Sequence, residues 1–290
     1  MATAQLETNT TAHEMSCMEV WGGNRAVDNA VSVPGLDAWI YSRPWQEADA
    51  GGDLHYMSMC AAGKIARFVV ADIAGHGESV ADMAGLLRKH MRKHINTPDQ
   101  SRFTKIINRA FTKADTGRFA TALLISYHAP SQHLIISNAG HPRPLFFEAA
   151  TGTWHLLDEE HDSAVSDRQS NSDLPTGLPL GVIEPTEYRQ FAVPFGVGDR
   201  LVLYTDALIE TVDAQGRLLG ESGLLNLMDE IDGSDDASFR ASMLDRVFRD
   251  NPGEHPDDDV TLLTLRGTGS TSRSIPLSER LVAIRRLLIG

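Results

Sequence analysis

The sequence predicts an α+β protein built on antiparallel sheet, and two features of the chain support this fold class. First, strand-like segments follow one another through residues 119–157, and only short turns such as 129–132 separate them. Consecutive strands without intervening helices pair as hairpins rather than as βαβ units. Second, amphipathic helical patterns occupy a separate block, at about residues 79–94 and 103–111. Strands and helices are therefore segregated along the chain.

An apolar strand ends in a carboxylate at Asp72, directly before the turn Gly-His-Gly at 75–77 and the first helix. The end of a buried strand fixes a side chain, and glycines let backbone and ligand approach closely. An aspartate before a helix also serves as an N-terminal cap. Taken alone, Asp72 therefore fits a metal ligand and a structural cap equally well.

Further aspartates occupy similar positions. Asp53 begins the strand that precedes the Asp72 strand, so a hairpin places both carboxylates at one end of the sheet. Asp206 ends a second apolar strand, and the pair Asp258 and Asp259 precedes a third. Oxygen ligands of this kind suit Mg²⁺ or Mn²⁺. Because adjacent carboxylates repel one another unless cations neutralise them, the pattern favours a two-metal centre for phosphoryl chemistry.

The composition narrows the class of protein. The 290 residues carry a formal net charge of −13, which disfavours binding to nucleic acid or to an anionic membrane. Two cysteines, Cys17 and Cys60, suggest neither a disulfide scaffold nor a cysteine-based zinc site. The sequence contains no apolar run of about 18 residues and no secretory signal, so we expect a cytoplasmic protein.

Other catalytic patterns are missing from the sequence. It contains no G-x-S-x-G elbow, no cysteine-centred phosphatase loop and no Walker-type phosphate loop. His90 and His94 have the spacing of a two-histidine metal face, but lysines and arginines surround them and the required glutamate is missing. We therefore do not assign them to a metal.

Five short motifs resemble those of the PPM-type metal-dependent protein phosphatases, in particular the bacterial SpoIIE-like branch that dephosphorylates regulators of sigma factors. They follow in order, after Gly-Gly-Asp at 51–53: Ala-Asp-Ile-Ala-Gly-His-Gly at 71–77, Asn-Ala-Gly-His-Pro at 138–142, Pro-Leu-Gly at 179–181, Asp-Arg-Leu-Val-Leu-Tyr-Thr-Asp-Ala at 199–207 and Asp-Asp-Val-Thr at 258–261. Each motif alone is weak, but the ordered set is specific and spans roughly residues 36–266.

The resemblance implies a four-layer αββα sandwich, two antiparallel sheets flanked by helices, with two Mn²⁺ or Mg²⁺ ions at one edge. It also implies that Asp53 and Asp72 are catalytic, with Asp72 bridging both ions. The implied metal ligands are Asp53, Asp72, the backbone carbonyl of Ile73, Asp206 and Asp258.

Around these ligands the resemblance implies supporting residues. Asp259 would orient its neighbour, Gly75 would shape the turn, and Arg43 is a candidate for contacting phosphate. Eukaryotic relatives have a proposed general acid two residues after the bridging aspartate, where this chain has Ala74. His76 follows two residues later and is as well suited to bracing the turn, so the general acid stays open.

The implied function is a phosphoserine/phosphothreonine protein phosphatase that uses a metal-bridging hydroxide. Its substrate would be a phosphorylated protein, such as a phosphorylated anti-sigma-factor antagonist. Two alternatives remain: a catalytically inactive regulator with the phosphatase fold that acts by binding a partner, and a small-molecule phosphoesterase. Retention of all four aspartate positions argues against the inactive regulator. A homodimer is compatible with the sequence.

We expect three segments. Residues 1–35 form a partly disordered lead-in, irregular or contributing an edge strand, and are too few for a sensor domain. Residues 36–266 form the phosphatase domain, which contains a long polar loop at 158–176. Residues 267–290 form a flexible linker and a short amphipathic helix, which we expect to dock on its own domain rather than on a partner.

Overall fold

The computed structural model of the chain describes most of the sequence. It covers residues 12–15, 19–60, 63–75, 78–94, 97, 99–114, 117–162, 174–211, 217–231, 233, 235–249 and 258–269. His76, the greater part of the polar loop (163–173) and the predicted C-terminal helix lie outside the described residues.

Thirteen strands and four α-helices make up the described part of the chain. The strands are β1 (His13–Glu14), β2 (Val20–Gly23), β3 (Val27–Val33), β4 (Leu36–Arg43), β5 (Asp53–Met59), β6 (Ile65–Ile73), β7 (Ala120–His128), β8 (His133–Ala139), β9 (Leu145–Glu148), β10 (Thr153–Leu156), β11 (Phe191–Pro194), β12 (Arg200–Tyr204) and β13 (Val260–Gly267). The helices are α1 (Glu78–Lys93), α2 (Gln100–Ala114), α3 (Gly220–Leu227) and α4 (Asp236–Arg249), and short 3₁₀ turns occur at Trp45–Glu47, Glu159–His161, Asp206–Leu208 and Met228–Glu230.

The strands form two sheets. Sheet A has the order β1-β3-β4-β13-β12-β9-β10, and sheet B has the order β11-β8-β7-β6-β5-β2. All neighbouring strands are antiparallel except the two-residue pairing of β1 with β3. The predicted antiparallel architecture is therefore confirmed.

Three apolar cores separate four layers. The first lies between the sheets and contains side chains such as Ile40 and Phe68. The second joins sheet B to α1 and α2 through residues such as Phe103, and the third joins sheet A to the C-terminal helices through residues such as Phe239. These layers give the αββα sandwich that the sequence predicts.

The central strands are buried along most of their length because both of their faces are covered. All seven residues of β5 are buried. In α2, by contrast, the buried positions Phe103, Ile107 and Phe111 recur at helical spacing while basic residues face outward. Asp99 caps this helix, since its carboxylate accepts from the backbone N–H of Arg102 at 2.9 Å.

The paired strands extend further toward the N-terminus than residue 36, the predicted start of the domain. β2 pairs with β5 at one edge of sheet B, and β3 pairs with β4 over seven residues in sheet A. Residues 27–30 are only half-buried, so an alternating apolar pattern does not mark this edge strand. None of the helices within the described ranges is long and apolar enough to span a membrane.

Candidate metal centre

The hairpin of β5 and β6 sets Asp53 directly opposite Asp72. The pairing agrees with the prediction that both carboxylates lie at one end of the sheet. β12 ends and β13 begins at the same edge of the sandwich, which brings Asp206 and the pair Asp258 and Asp259 toward the hairpin. All four predicted aspartate positions thus meet where strands end.

Asp53 connects the two sheets. Its carboxylate is 3% exposed and accepts a hydrogen bond from the Thr205 hydroxyl at 2.8 Å. The Thr205 oxygen accepts in turn from the backbone N–H of Thr261 at 3.0 Å. Burial raises the pKa of Asp53 well above its ordinary value, the Asp72 charge raises it further, and the threonine hydroxyls oppose the shift. Sequence reasoning missed the contacts of Thr205 and Thr261, because they join segments far apart in the chain.

Asp72 and Asp206 experience the electric field of several acids. Burial raises the pKa of Asp72 to about 7, and the nearby Asp206 and Asp258 carboxylates contribute to the shift. Burial also raises the pKa of Asp206, together with the charges of Glu210 and Asp258. Glu210 is a member of this acidic group that sequence reasoning missed. These shifts show that the carboxylates lie close enough to repel one another.

Asp259 holds the loop that precedes Asp53. Its carboxylate accepts from the backbone N–H groups of Trp45 at 2.6 Å, Gly52, and Asp53 at 3.4 Å. A Cβ on Gly51 would overlap this carboxylate, so the close approach requires glycine. The neighbouring Asp258 accepts from the N–H of Asp259 at 2.8 Å. Asp259 thus holds the backbone before Asp53, and its orienting role stays a prediction. Both Asp258 and Asp259 contribute to the raised pKa of Asp72.

The segment after Asp72 is a turn built on glycine. Gly75 has a φ of 112°, and the Arg118 guanidinium occupies the position where its side chain would project. Arg118 also donates to the carbonyl of Ala74 at 2.7 Å, and the N–H of Ile73 donates to the carbonyl of Gly52 at 3.2 Å. The backbone around the proposed Ile73 ligand is thus fixed from both sides. Nothing in the sequence pattern marks Arg118, because the contact joins separate segments.

Arg43 lies at the same edge but turns away from the acids toward the helical layer of sheet A. It ends β4 opposite Val260, and its guanidinium interacts with the Tyr41 hydroxyl. Burial raises the pKa of Tyr41, and Arg43 opposes that shift. Contact between Arg43 and a phosphate group remains a prediction.

His141 is held by the backbone and side chains around it. Its backbone N–H donates to the Asn138 side chain at 2.7 Å, and its Nδ1 lies 2.9 Å from the hydroxyl of Thr121, the residue opposite Asp72 in β7. Burial lowers the pKa of His141 to about 4, so the ring is neutral near pH 7. Gly140, with a φ of 68°, packs tightly against Pro179, and this contact joins the second and third motifs.

The donor set fits divalent cations. Carboxylate oxygens are the preferred ligands of Mg²⁺ and Mn²⁺, and a cation would relieve the repulsion that raises the pKa values of the clustered aspartates. Within the described ranges, no three His, Cys, Asp or Glu side chains form a group already arranged to hold a metal ion. Part of the reason is that two of the carboxylates already have other partners. Asp53 accepts from the Thr205 hydroxyl, and Asp259 accepts from the backbone N–H of Gly52.

A separate groove lies on the helical layer of sheet B. It encloses about 740 Å³ between α2 and residues 184–187, and none of the clustered aspartates lines it. His90 lies on its wall and stacks on His94 with a centroid separation of 6.0 Å. We do not assign this groove to the chemistry of the aspartates.

The family profile described as Stage II sporulation protein E (SpoIIE) matches residues 63–268, most of the chain. This chain belongs to the SpoIIE family. The match contains all five ordered motifs, together with Asp72, Asp206 and Asp258. The predicted resemblance to the SpoIIE-like branch is therefore confirmed.

Two curated relatives come from Bacillus subtilis (strain 168). The phosphoserine phosphatase RsbP is 22% identical over 197 residues, which cover 66% of this chain and 43% of RsbP. The phosphoserine phosphatase RsbU is 23% identical over 199 residues, which cover 68% of this chain and 54% of RsbU. The chain thus spans about half the length of these relatives.

Solved structures share the fold of this SpoIIE-family chain. The RsbU and RsbW domains of Rv1364c from Mycobacterium tuberculosis superpose with a TM-score of 0.66 at 24% identity, covering 86% of this chain and 64% of that one. The Bacillus subtilis SpoIIE PP2C phosphatase domain with a fragment of its regulatory domain gives 0.61 at 15% identity, covering 81% and 64%. RsbX in complex with magnesium gives 0.57 at 14%, covering 83% and 100%. The fold is that of the PPM-type phosphatase domains.

Proposed function

We propose that this chain is a metal-dependent protein phosphatase that hydrolyses phosphoserine or phosphothreonine monoesters. The observation that carries the proposal is the meeting of aspartates from separate strand ends at one edge of the sandwich, where they shift one another's pKa values. Membership of the SpoIIE family and the names of RsbP and RsbU as phosphoserine phosphatases support it.

We assign the ligands of two Mn²⁺ or Mg²⁺ ions to residues of this edge. They are Asp53, Asp72, the carbonyl of Ile73, Asp206 and Asp258, with Asp72 shared between the ions. When bound, such ions stabilise charge on phosphoryl oxygens and lower the pKa of nearby water.

The remaining residues hold this ligand set in place. Thr205 fixes one oxygen of Asp53, and Asp259 fixes the backbone just before Asp53. Arg118 fixes the turn after Ile73. Hydrolysis transfers the phosphoryl group from the serine oxygen to water, so the bond from phosphorus to that oxygen breaks and the oxygen takes up a proton. Rigid ligands favour this reaction because they need little rearrangement during it.

We further infer that the substrate is a phosphoprotein of sigma-factor regulation, such as a phosphorylated anti-sigma-factor antagonist. The support is the family membership and the similarity to RsbP and RsbU. The relatives are longer than this chain, so the substrate is inferred from the shared domain alone.

Hydrolysis of p-nitrophenyl phosphate tests the proposed activity. Wild type, Asp72→Asn and the exposed control Asp229→Asn are compared with Mn²⁺, with Mg²⁺ and with EDTA. We expect metal-dependent activity in wild type and in the control, and loss of at least two orders of magnitude in Asp72→Asn. Activity in EDTA, or equal activity in all three proteins, would contradict the metal mechanism. An inactive wild type that also fails to bind Mn²⁺ would support the non-catalytic regulator.

A further inference from the structure

Two exposed aromatic residues lie next to strands at the edge that carries the aspartates, Trp45 after β4 of sheet A and Phe119 before β7 of sheet B. Trp45 is 45% exposed and Phe119 is 46% exposed. Among the described residues, only six large apolar side chains are exposed, and these two are the aromatic ones. Exposed aromatic residues beside a functional site are a common feature of protein-binding surfaces.

Phe119 lies two residue pairs beyond Asp72 in the register of β6 and β7. Ala120 pairs with Ile73, and the N–H of Ala74 donates to the carbonyl of Phe119 at 3.0 Å. Side chains alternate along a strand, so Phe119 shares a sheet face with Thr121, the residue opposite Asp72. Phe119 therefore stands at the rim of the acidic edge.

Trp45 lies at the same edge, on the side of sheet A. It begins the 3₁₀ turn after β4, and its N–H donates to Asp259 at 2.6 Å. The other oxygen of that carboxylate accepts from Gly52, immediately before Asp53. The backbone of Trp45 is thus tied to the loop that carries a proposed ligand.

The apolar surface continues from Phe119 along a second segment. Leu180 and Ala120 exchange two backbone hydrogen bonds of 2.9 and 2.7 Å, so the residues after Leu180 run beside Phe119. Val182 is 51% exposed and Ile183 is 46% exposed.

The chain as a whole carries a net charge of −13, so long-range repulsion opposes a strongly acidic substrate surface.

We infer that Trp45 and Phe119 form a docking rim for phosphoproteins whose phosphorylated serine has apolar neighbours. The inference rests on the proposed function and adds a substrate preference to it. The phosphate group would reach the acidic edge through bound cations, while apolar side chains on both sides of the serine pack on the two aromatic rings. Exposed rings beside the site supply this contact, and the surrounding negative charge disfavours acidic flanks.

The test uses phosphoserine peptides of equal length with leucine, glycine or glutamate on both sides of the phosphoserine. The kcat/KM for each peptide is divided by the kcat/KM for p-nitrophenyl phosphate, which corrects for general damage to the site. The proteins are wild type, Trp45→Ser, Phe119→Ser, the conservative Phe119→Leu, and Val197→Ser. Val197 is 69% exposed and precedes β12 at the end away from Asp206, so it is a matched control.

In wild type we expect this ratio to be about tenfold higher for the leucine peptide than for the glycine peptide. Loss of an anchoring side chain typically weakens binding by about that factor. Trp45→Ser and Phe119→Ser should lose most of the advantage, chiefly through KM. Phe119→Leu and Val197→Ser should keep it. Equal ratios for leucine and glycine peptides in wild type, or an undiminished advantage in both serine variants, would overturn the inference.

A binding measurement distinguishes failure of the docking rim from failure of the proposed phosphatase activity. Fluorescence anisotropy of a labelled leucine-flanked phosphopeptide with Mn²⁺ reports docking even if the protein hydrolyses nothing. Weaker binding to Phe119→Ser and Trp45→Ser than to wild type and Val197→Ser would support the rim. Equal binding to all four proteins would refute it, whatever the outcome with p-nitrophenyl phosphate.

Discussion

Asp53 and Asp72 lie directly opposite one another on adjacent antiparallel strands. Opposed side chains share one face of a sheet, with their Cβ atoms about 5 Å apart. The Asp72 charge contributes to the raised pKa of Asp53, after burial. In the metal-free protein this pairing is destabilising at neutral pH, and a cation between the carboxylates would remove the repulsion.

Asp72→Asn should therefore stabilise the metal-free protein at alkaline pH. The folded-state pKa of Asp72 is about 7 against an ordinary value of 3.8. The contribution of the protonated Asp72 carboxyl group to the free energy of unfolding is fully present below pH 3.8. It is lost as the pH rises through 7, because Asp72 releases its proton at a lower pH in the unfolded chain than in the folded protein. Removing the charge should raise the free energy of unfolding at pH 8 by on the order of 2 kcal/mol.

Urea unfolding in EDTA at pH 5 and pH 8 measures this difference. The gain in the free energy of unfolding of Asp72→Asn should be larger at pH 8 than at pH 5. The exposed control Asp229→Asn should show no gain at either pH. Destabilisation of Asp72→Asn at pH 8 would mean that the Asp72 carboxylate is already compensated by other contacts.

Thr205→Val should weaken both the fold and the metal site. The substitution preserves the shape of the side chain but leaves the Asp53 oxygen and the Thr261 N–H without their partner. An unsatisfied buried polar group of this kind costs about 1–3 kcal/mol. Thr205→Ser keeps the hydroxyl and should retain most of the stability and Mn²⁺ affinity, as denaturation and calorimetry would show. Equal losses in the two variants would assign the effect to packing.

Gly51→Ala should disturb the metal site through a steric clash. The added Cβ would overlap the Asp259 carboxylate, which holds the backbone N–H groups of Gly52 and Asp53. We expect at least tenfold weaker Mn²⁺ binding, measured by calorimetry. Gly23→Ala is the matched control, because its Cβ would meet no atom within 4 Å. Unchanged affinity in Gly51→Ala would show that the loop can move without affecting the ligands.

His128 should contribute to acid sensitivity far from the metal site. It ends β7, and its Nδ1 lies 2.7 Å from the Ser131 hydroxyl. Burial lowers the pKa of His128 from 6.5 to about 4, so its stabilising contribution is present above pH 6.5 and is lost as the pH falls toward 4. The complete loss is up to about 3 kcal/mol.

Denaturation of wild type and His128→Gln between pH 7.5 and 4.5 tests this contribution. The variant should be less stable at pH 7.5, and the difference should shrink as the pH falls. A constant difference across the range would contradict this account, because it would show that His128 has the same pKa in the folded and unfolded states.

The sequence predicts the antiparallel sheets and the hairpin that opposes Asp53 to Asp72 because these depend on local signals, whereas the four-layer sandwich is implied by the resemblance to the PPM-type phosphatases. Apolar strands, short turns and acids at strand ends are visible along the chain. The contacts of Thr205 with Asp53 and of Arg118 with Ala74 join segments far apart in sequence, so no local pattern reveals them. The half-buried strand β3 has an ambiguous alternation, so the sequence predicts only an irregular lead-in or an edge strand where the structure pairs β3 with β4.

The most direct test of the account is the number of Mn²⁺ ions bound per chain, measured by calorimetry for wild type, Asp72→Asn and Asp229→Asn. The account predicts about two ions for wild type and for the control, and clearly weaker or incomplete binding for Asp72→Asn, because Asp72 is shared by both proposed sites. Absence of Mn²⁺ and Mg²⁺ binding to wild type, or identical binding to all three proteins, would contradict the metal centre at the Asp53–Asp72 pair.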